Sequence, residues 1–348
     1  MMVKAFITRL TLLSLGTVIT AQANDTAFGG TGASPYPIEQ PNIKMAAEKI
    51  IITGHNLNKE NRSGFWDYQC SFLFENNLNK PITIQMGFPF PVNNEEFGNI
   101  SIPAGRQSKQ GAALVYDFVA TARNKPIAVR KQRITSNKEK GLEYQEAYIW
   151  NFSFLPKETV TLNHHYNTGV TFDVMGYHWV NYVLKTGKLW QGGRIGRTEI
   201  DIIPNTPTRL CSELNKNAHY TKPKPKGMKI LGKGKDRHYV WNLKNFSPDD
   251  DLSVCLQTGR NYIRYRVVYP LLEENLTRLR TMNAEQLTLI KNTIYAQYGR
   301  QFENSKLQRY FNRQWWYEPN SGYSDKLLTV DDQKILAAIH QLELKKAS

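Results

Sequence analysis

The stretch FWDYQCSFLFEN, residues 65–76, decides how the rest of the chain is read. Cys70 lies in phase with Tyr68, Phe72 and Phe74, every second residue. Side chains of an extended strand alternate between two faces, so this spacing predicts a strand with one buried face. The same period of two continues outward on both sides. KIIIT (49–53), PITIQMGFPF (81–90), AALVYDFVA (112–120), IAVRKQRITS (127–136), YQEAYIWNFSFLP (144–156) and TVTLNHHYN (159–167) read as strands. So do WVNYVLKTG (179–187), TEIDIIP (198–204), TRLCSEL (208–214), GMKILG (227–232), RHYVWNL (237–243), DLSVCLQT (251–258) and YIRYRVVYP (262–270). Gly, Pro, Asn and Lys-Gly steps separate them. Many short strands without intervening helices predict a mainly β fold, built as one or two antiparallel β-sandwich domains.

Past Pro270 the period changes. Asn283 and Gln286 stand where a capping box opens a helix, and Met282 and Leu287 where a hydrophobic staple would close over it. Leu287, Ile290, Ile294, Tyr295 and Tyr298 then share one helical face. Gly299 is placed to end that helix in the left-handed conformation. Leu307, Tyr310 and Phe311 give a second short apolar face, and Thr329 with Asp331 and Asp332 opens a third helix. A small unit has little core, and large aromatics supply the most buried area per residue. The expected organisation is a leader at 1–23, a β-sandwich domain at 24–175 and a second β-rich domain or sandwich extension at 176–270. A linker at 271–282 and a small helical domain at 283–348 follow.

The first residues, MMVKAFITRLTLLSLGTVITAQAND, combine Lys4 and Arg9, an apolar run and Ala21-Gln22-Ala23. This is the pattern of a secretory signal peptide cleaved after Ala23. The apolar run is shorter than the roughly 20 residues that span a bilayer, so a periplasmic or secreted location without stable membrane insertion is expected. The formal net charge of the whole chain is +15. Much of it falls in KNAHYTKPKPKGMKILGKGKDRHYVWNLK (216–244), which holds nine Lys/Arg and one acid, Asp236. Lys222, Lys224, Lys226, Lys233 and Lys235 are the candidate polyanion contacts there; the plainer reading is a solvated hairpin whose lysines protect a strand edge. Nucleic acid is not an expected partner, because that run lacks an interleaved aromatic platform. An exported address permits a disulfide, and of the three cysteines Cys211 and Cys255 are the best bridging pair, with Cys70 buried in its strand.

The C-terminal run LIKNTIYAQYGRQFENSKLQRYFNRQWWYEP, with LLTVDDQKILAAIHQLE after it, resembles the YARHG domain of bacterial exported proteins. The motif positions are Tyr295, Ala296, Gln297, Tyr298 and Gly299, with Gln297 where Arg is usual and Tyr298 where His is usual. Asn292, Phe302, Tyr310-Phe311 and Trp316-Tyr317 also match. The resemblance implies an extracytoplasmic accessory module with no established activity. The N-terminal part, through IKMAAEKI (43–50), FLFEN and MGFPFP (86–91), is similar to an uncharacterised exported β-rich family.

Candidate sites are few. His164 and His165 are adjacent, and on a strand they point to opposite faces, which disfavours one shared metal. His178, His219 and His238 are scattered. No GxSxG, HExxH, SxxK or Walker-type loop is present, so no catalytic residue, metal or cofactor is assigned. GKGKD (232–236) lacks the phosphate-loop spacing, and DDD (249–251) lacks that of a calcium loop. Trp315 and Trp316 are neighbours, and one of them is expected at the surface. With Arg300, Arg309 and Arg313 it would form a platform for sugar, peptide or protein. The expected function is a non-enzymatic exported binding protein contacting a cell-envelope polymer or an exported protein partner through its helical domain. Two alternatives stay open: a hydrolase with a site dispersed over the β region, and a structural protein docking on anionic envelope polymers through 216–244.

Overall fold

The computed structural model describes residues 26–29, 36–37, 40–58, 64–90, 92, 100–103, 105–106, 109, 112–134, 146–173, 175–215 and 222–347. The expected leader and residues 216–221 of the basic segment lie outside these. In chain order the strands are β1 (Thr26–Gly29), β2 (Tyr36–Pro37), β3 (Ile43–His55), β4 (Phe65–Asn76), β5 (Ile82–Phe90), β6 (Val115–Ala122), β7 (Lys125–Pro126), β8 (Arg130–Arg133), β9 (Glu146–Phe154), β10 (Thr159–Gly169), β11 (Thr171–Phe172), β12 (His178–Tyr182), β13 (Ile195–Ile203), β14 (Thr208–Leu210), β15 (Lys229–Leu231), β16 (His238–Phe246) and β17 (Leu252–Thr258). The helices are α1 (Cys211–Leu214), α2 (Gly259–Ile263), α3 (Tyr269–Glu273), α4 (Ala284–Ala296), α5 (Ser305–Asn312) and α6 (Val330–Ala347). A π-helical turn, Arg264–Val268, joins α2 to α3.

The alternating stretch 65–76 is β4, inside an eight-stranded sheet of order β15-β16-β13-β3-β4-β10-β6-β7. Its even-numbered side chains, Trp66 to Phe74, are buried, as the pattern predicts. A five-stranded sheet, β2-β1-β5-β9-β8, and a four-stranded sheet, β11-β12-β17-β14, cover that same face. Phe74 meets Phe154 of β9 with ring centroids 5.9 Å apart. Further along, the Tyr68 hydroxyl donates to the Asn181 carbonyl of β12 at 3.2 Å. Each large side chain buried between the sheets contributes about 1.5–3 kcal/mol.

Residues on both sides of 175 share the long sheet. β13 runs parallel to β3, with Ile200 beside Ile50, and antiparallel to β16, with Ile200 beside Trp241. Of the later strands, β13, β15 and β16 therefore continue the sheet that holds β3 and β4. A register shift between Met45 and Ala47 puts Glu48 on the inner face with Ile50 and Ile52. Its carboxyl accepts from the Thr198 hydroxyl at 3.0 Å, and burial pushes its pKa up to about 8.

Two expectations are corrected. YIRYRVVYP (262–270) is helical, running through α2, the π-turn and the start of α3. Thr258 caps α2 by accepting from the Asn261 amide at 3.3 Å, and Ile263, Val268 and Leu271 are buried along the helical stretch. Residues 271–282 are not a linker: Leu271 and Leu279 sit in the helical core with Leu287, Ile294, Ile335 and Ile339. The helix α4 opens with the expected reciprocal cap, Asn283 and Gln286 each accepting from the other's backbone amide at 2.9 Å. Among the described residues no helix is long and apolar enough to cross a membrane.

Candidate functional site

A cleft of about 680 Å³ opens where the β region meets the helical unit. Its floor comes from the β region, through Asn58, Ser101 and Val170 in connecting segments and His178 of β12; its opposite wall comes from α2, the π-turn and the first turn of α6. The size lies in the range of small-ligand sites. Two glycines set the walls close. A Cβ at Gly259 would lie 2.5 Å from the Trp316 carbonyl, so this glycine lets the helical unit rest directly on the end of β17. Gly176, at φ +69°, leaves the space that the Tyr265 ring fills.

Arg260 and Arg264 are four residues apart on the same helical stretch and both line the cleft. Arg260 donates to the Asn58 carbonyl at 2.7 Å, and its guanidinium lies 4.3 Å from the centroid of the Tyr298 ring. Arg264 is buried. It donates from Nε to the Tyr269 hydroxyl at 3.1 Å and lies 3.4 Å from Asp331 and 3.6 Å from Asp332.

Asp332 explains what the YARHG-like motif does in this chain. Its side chain is wholly buried. It accepts from Gln297 Nε2 at 3.1 Å, from the Thr329 hydroxyl at 2.8 Å, from the Thr329 amide at 3.0 Å and from the Tyr298 hydroxyl. The Asp332 amide donates back to Thr329 Oγ1 at 3.2 Å, which caps α6. Gln297 and Tyr298 are the two positions that depart from the usual motif, and both bind this one carboxylate. Both are neutral, so Arg264 is the cation beside it. The motif thus fixes the start of α6 and, through Arg264 and Tyr298, the charged wall of the cleft.

His178 lies beneath that wall, on β12. Asn261 donates from Nδ2 to the Gly176 carbonyl at 3.0 Å and to His178 Nε2 at 2.9 Å. Burial pushes the His178 pKa down to about 4, so the ring is neutral at neutral pH. With Nε2 accepting, the ring proton belongs on Nδ1, which has no hydrogen-bond partner among the described residues. The cleft thus brings together two guanidiniums, one accessible carboxylate and several amide and hydroxyl groups. Such a set can bind and orient a small polar molecule.

The residues singled out from sequence lie elsewhere. Trp316 is buried at 8 % exposure against Phe311, because the helical unit uses it to pack on Gly259. Trp315 is half-buried, between Arg209 of β14 at 5.3 Å and the Tyr262 ring at 5.1 Å. Neither tryptophan is an open platform, which corrects that expectation. Arg300 lies over the Tyr295 ring at 4.5 Å, while Arg309 and Arg313 are exposed. Lys222, Lys224, Lys226, Lys233 and Lys235 are all exposed; Lys224 pairs with Asp250 at 3.0 Å and Lys235 with Glu318 at 3.5 Å. Cys211 and Cys255 are joined, with an S–S distance of 1.98 Å, and Cys70 is buried. His164 points inward among Phe72, Phe88, Phe118 and Trp150, where burial pushes its pKa down to about 3. His165 points outward to Asp67, 2.5 Å away. Sequence reasoning misses both arginines: the strand pattern of 262–270 includes Arg264 and leaves Arg260 in the connection before it, and the Thr258 cap is the signal that the two share a helix.

The model of the YARHG domain family matches residues 265–344. A crystal structure of a candidate nutrient-binding protein from Legionella pneumophila is 51% identical, covers 92% of this chain and 100% of its own, and superposes with a TM-score of 0.81. An M1 zinc metallopeptidase from Deinococcus radiodurans, solved with a Tyr-Ser-Ala substrate, is 6% identical over 64% of this chain and 44% of its own. Its TM-score of 0.29 is too low to bear on this protein. No curated protein matches. The chain belongs to the family of the Legionella pneumophila protein, and residues 265–344 are its YARHG domain.

Proposed function

We propose that this protein is an exported binding protein that holds a small polar molecule in the cleft between its β region and its YARHG domain. The observation that carries the reading is the placement of Arg260 and Arg264, half-buried and buried, on one wall of a cleft of about 680 Å³. Charged groups are costly to bury, and a ligand site is a common reason to keep them at such a boundary. The Legionella pneumophila relative, named for nutrient binding, supports a small-molecule ligand over an envelope polymer. The signal-like leader supports export. The YARHG domain then serves as one jaw of the site, with its aromatic residues spent on its own core.

Thermal-shift screening against a panel of sugars, amino acids, dicarboxylates and nucleosides tests this. A ligand present at 100 times its Kd stabilises the native state by about 2.7 kcal/mol, which raises the melting temperature measurably. The expected result is a stabilising compound whose effect is lost in Arg260→Ala. A compound that stabilises the protein and Arg260→Ala equally would place binding outside the cleft.

A further inference from the structure

We infer that the cleft is built for a free α-amino acid, held by its two backbone charges. This rests on the cleft being the binding site. The wall presents a cation and an anion side by side: Arg264 Nη2 and Asp331 Oδ2 are 3.4 Å apart. Both residues line the cleft. Asp331 is open to solvent, its side chain 46% exposed, whereas that of Arg264 is 9% exposed.

A zwitterion whose charges are neighbours matches this arrangement. In an α-amino acid the ammonium nitrogen and the carboxylate carbon are bonded to the same Cα, about 2.5 Å apart given the standard bond lengths. Its carboxylate can take the Arg264 guanidinium and its ammonium the Asp331 carboxylate. The pair at 3.4 Å is then exchanged for two ligand pairs, and neither protein charge is left alone in either state. Asp332 and Tyr269 keep contact with Arg264 throughout, so its position does not depend on the ligand.

Other ligand classes fit less well. A phosphate or dicarboxylate would bring like charge against Asp331 and Asp332. A neutral sugar would leave the ion pair unused. The termini of a peptide move apart by roughly 3.3–3.6 Å for each added extended residue, beyond the separation of the two charges here. The remaining volume suits a side chain. Tyr265, Tyr269 and Val170 offer apolar walls, and Asn58 and Gln333 polar ones.

The test is calorimetric titration of the mature protein with each standard amino acid. The best binder is then compared with its N-acetyl and carboxamide derivatives. Each derivative is expected to bind at least about tenfold more weakly than the parent. Asp331→Asn should weaken the parent to the level of the N-acetyl compound, and Asp331→Glu should restore most of the affinity. Either derivative binding within about threefold of the parent would overturn the inference, as would an Asp331→Asn variant with undiminished affinity. If no amino acid binds but a sugar or dicarboxylate does, with binding lost in Arg260→Ala, the amino-acid inference falls and the cleft reading stands. If no compound of any class binds in a way that depends on Arg260 or Asp331, both fall.

Discussion

The Tyr298 hydroxyl donates to the carboxylate of Asp332, a side chain with no exposure to solvent. Asp332 also takes bonds from Gln297 and Thr329 and has Arg264 at 3.6 Å, so several groups lose a partner if it goes. Removing one member of a buried charged cluster costs about 3–5 kcal/mol. Asp332→Ala is expected to lower stability by that order in urea unfolding. Tyr298→Phe, which deletes one donor, should cost about 1–3 kcal/mol. An Asp332→Ala protein as stable as wild type would remove the cluster from the account of the fold.

Gly299 ends its helix at φ +83°, and a Cβ there would lie 2.5 Å from the Glu318 carbonyl. Gly105 has a similar φ, +78°, with nothing within 4 Å. Gly299→Ala should therefore destabilise the protein by clearly more than Gly105→Ala, whose cost is limited to the conformational term of about 1 kcal/mol. Paired thermal melts of the two variants decide this; equal shifts would mean that the close approach relaxes freely.

Glu48 and two histidines give opposite pH limbs. Burial raises the Glu48 pKa from 4.5 to about 8, so the folded state binds the proton more tightly and stability falls as pH rises across that window. His164 and His178 are lowered from 6.5 to about 3 and about 4, so stability falls as pH drops below 6.5. Between pH 4.5 and 6.5 two histidines outweigh one carboxyl. The maximum is expected near pH 6.5, and Glu48→Gln should flatten the decline from there to pH 8. A decline of unchanged slope in Glu48→Gln would assign it to other groups.

The Cys211–Cys255 bridge closes 44 residues and ties α1 to β17, the strand that leads into the cleft helix. Loss of such a loop constraint typically costs about 2–4 kcal/mol. Cys211→Ala with Cys255→Ala should lower the urea midpoint accordingly, and a reductant should then have no further effect on that variant.

Local chemistry was the legible part of the sequence. The alternation at 65–76 forecast the buried face of β4, and Asn283, Gln286 and Gly299 forecast both ends of the α4 region. The segment 262–270 was illegible for a physical reason. Its polar and apolar residues alternate as in a strand, and Pro270 looks like a terminator, whereas it occupies the first turn of α3, where no amide partner is needed. Adjacent tryptophans suggested an exposed ring because a single element has one buried face. In the folded chain Trp315 finds cover from Arg209 on a different element. The cleft could not be read locally at all. Asn58, His178, Arg264 and Asp331 each have an ordinary role in their own segment, and only the tertiary fold makes them neighbours.

The parallel pairing of β13 with β3 also sets a timetable. Arg197 lies beside Ala47, so one edge of β3 stays without its partner until about 150 further residues have been made. At the usual 5–20 residues per second of synthesis, that interval is roughly 8–30 s. Throughout it, a long apolar strand offers open backbone groups to any other chain nearby. A fragment ending near residue 175 would keep that edge open permanently, and is expected to aggregate more readily than a chain that includes β13.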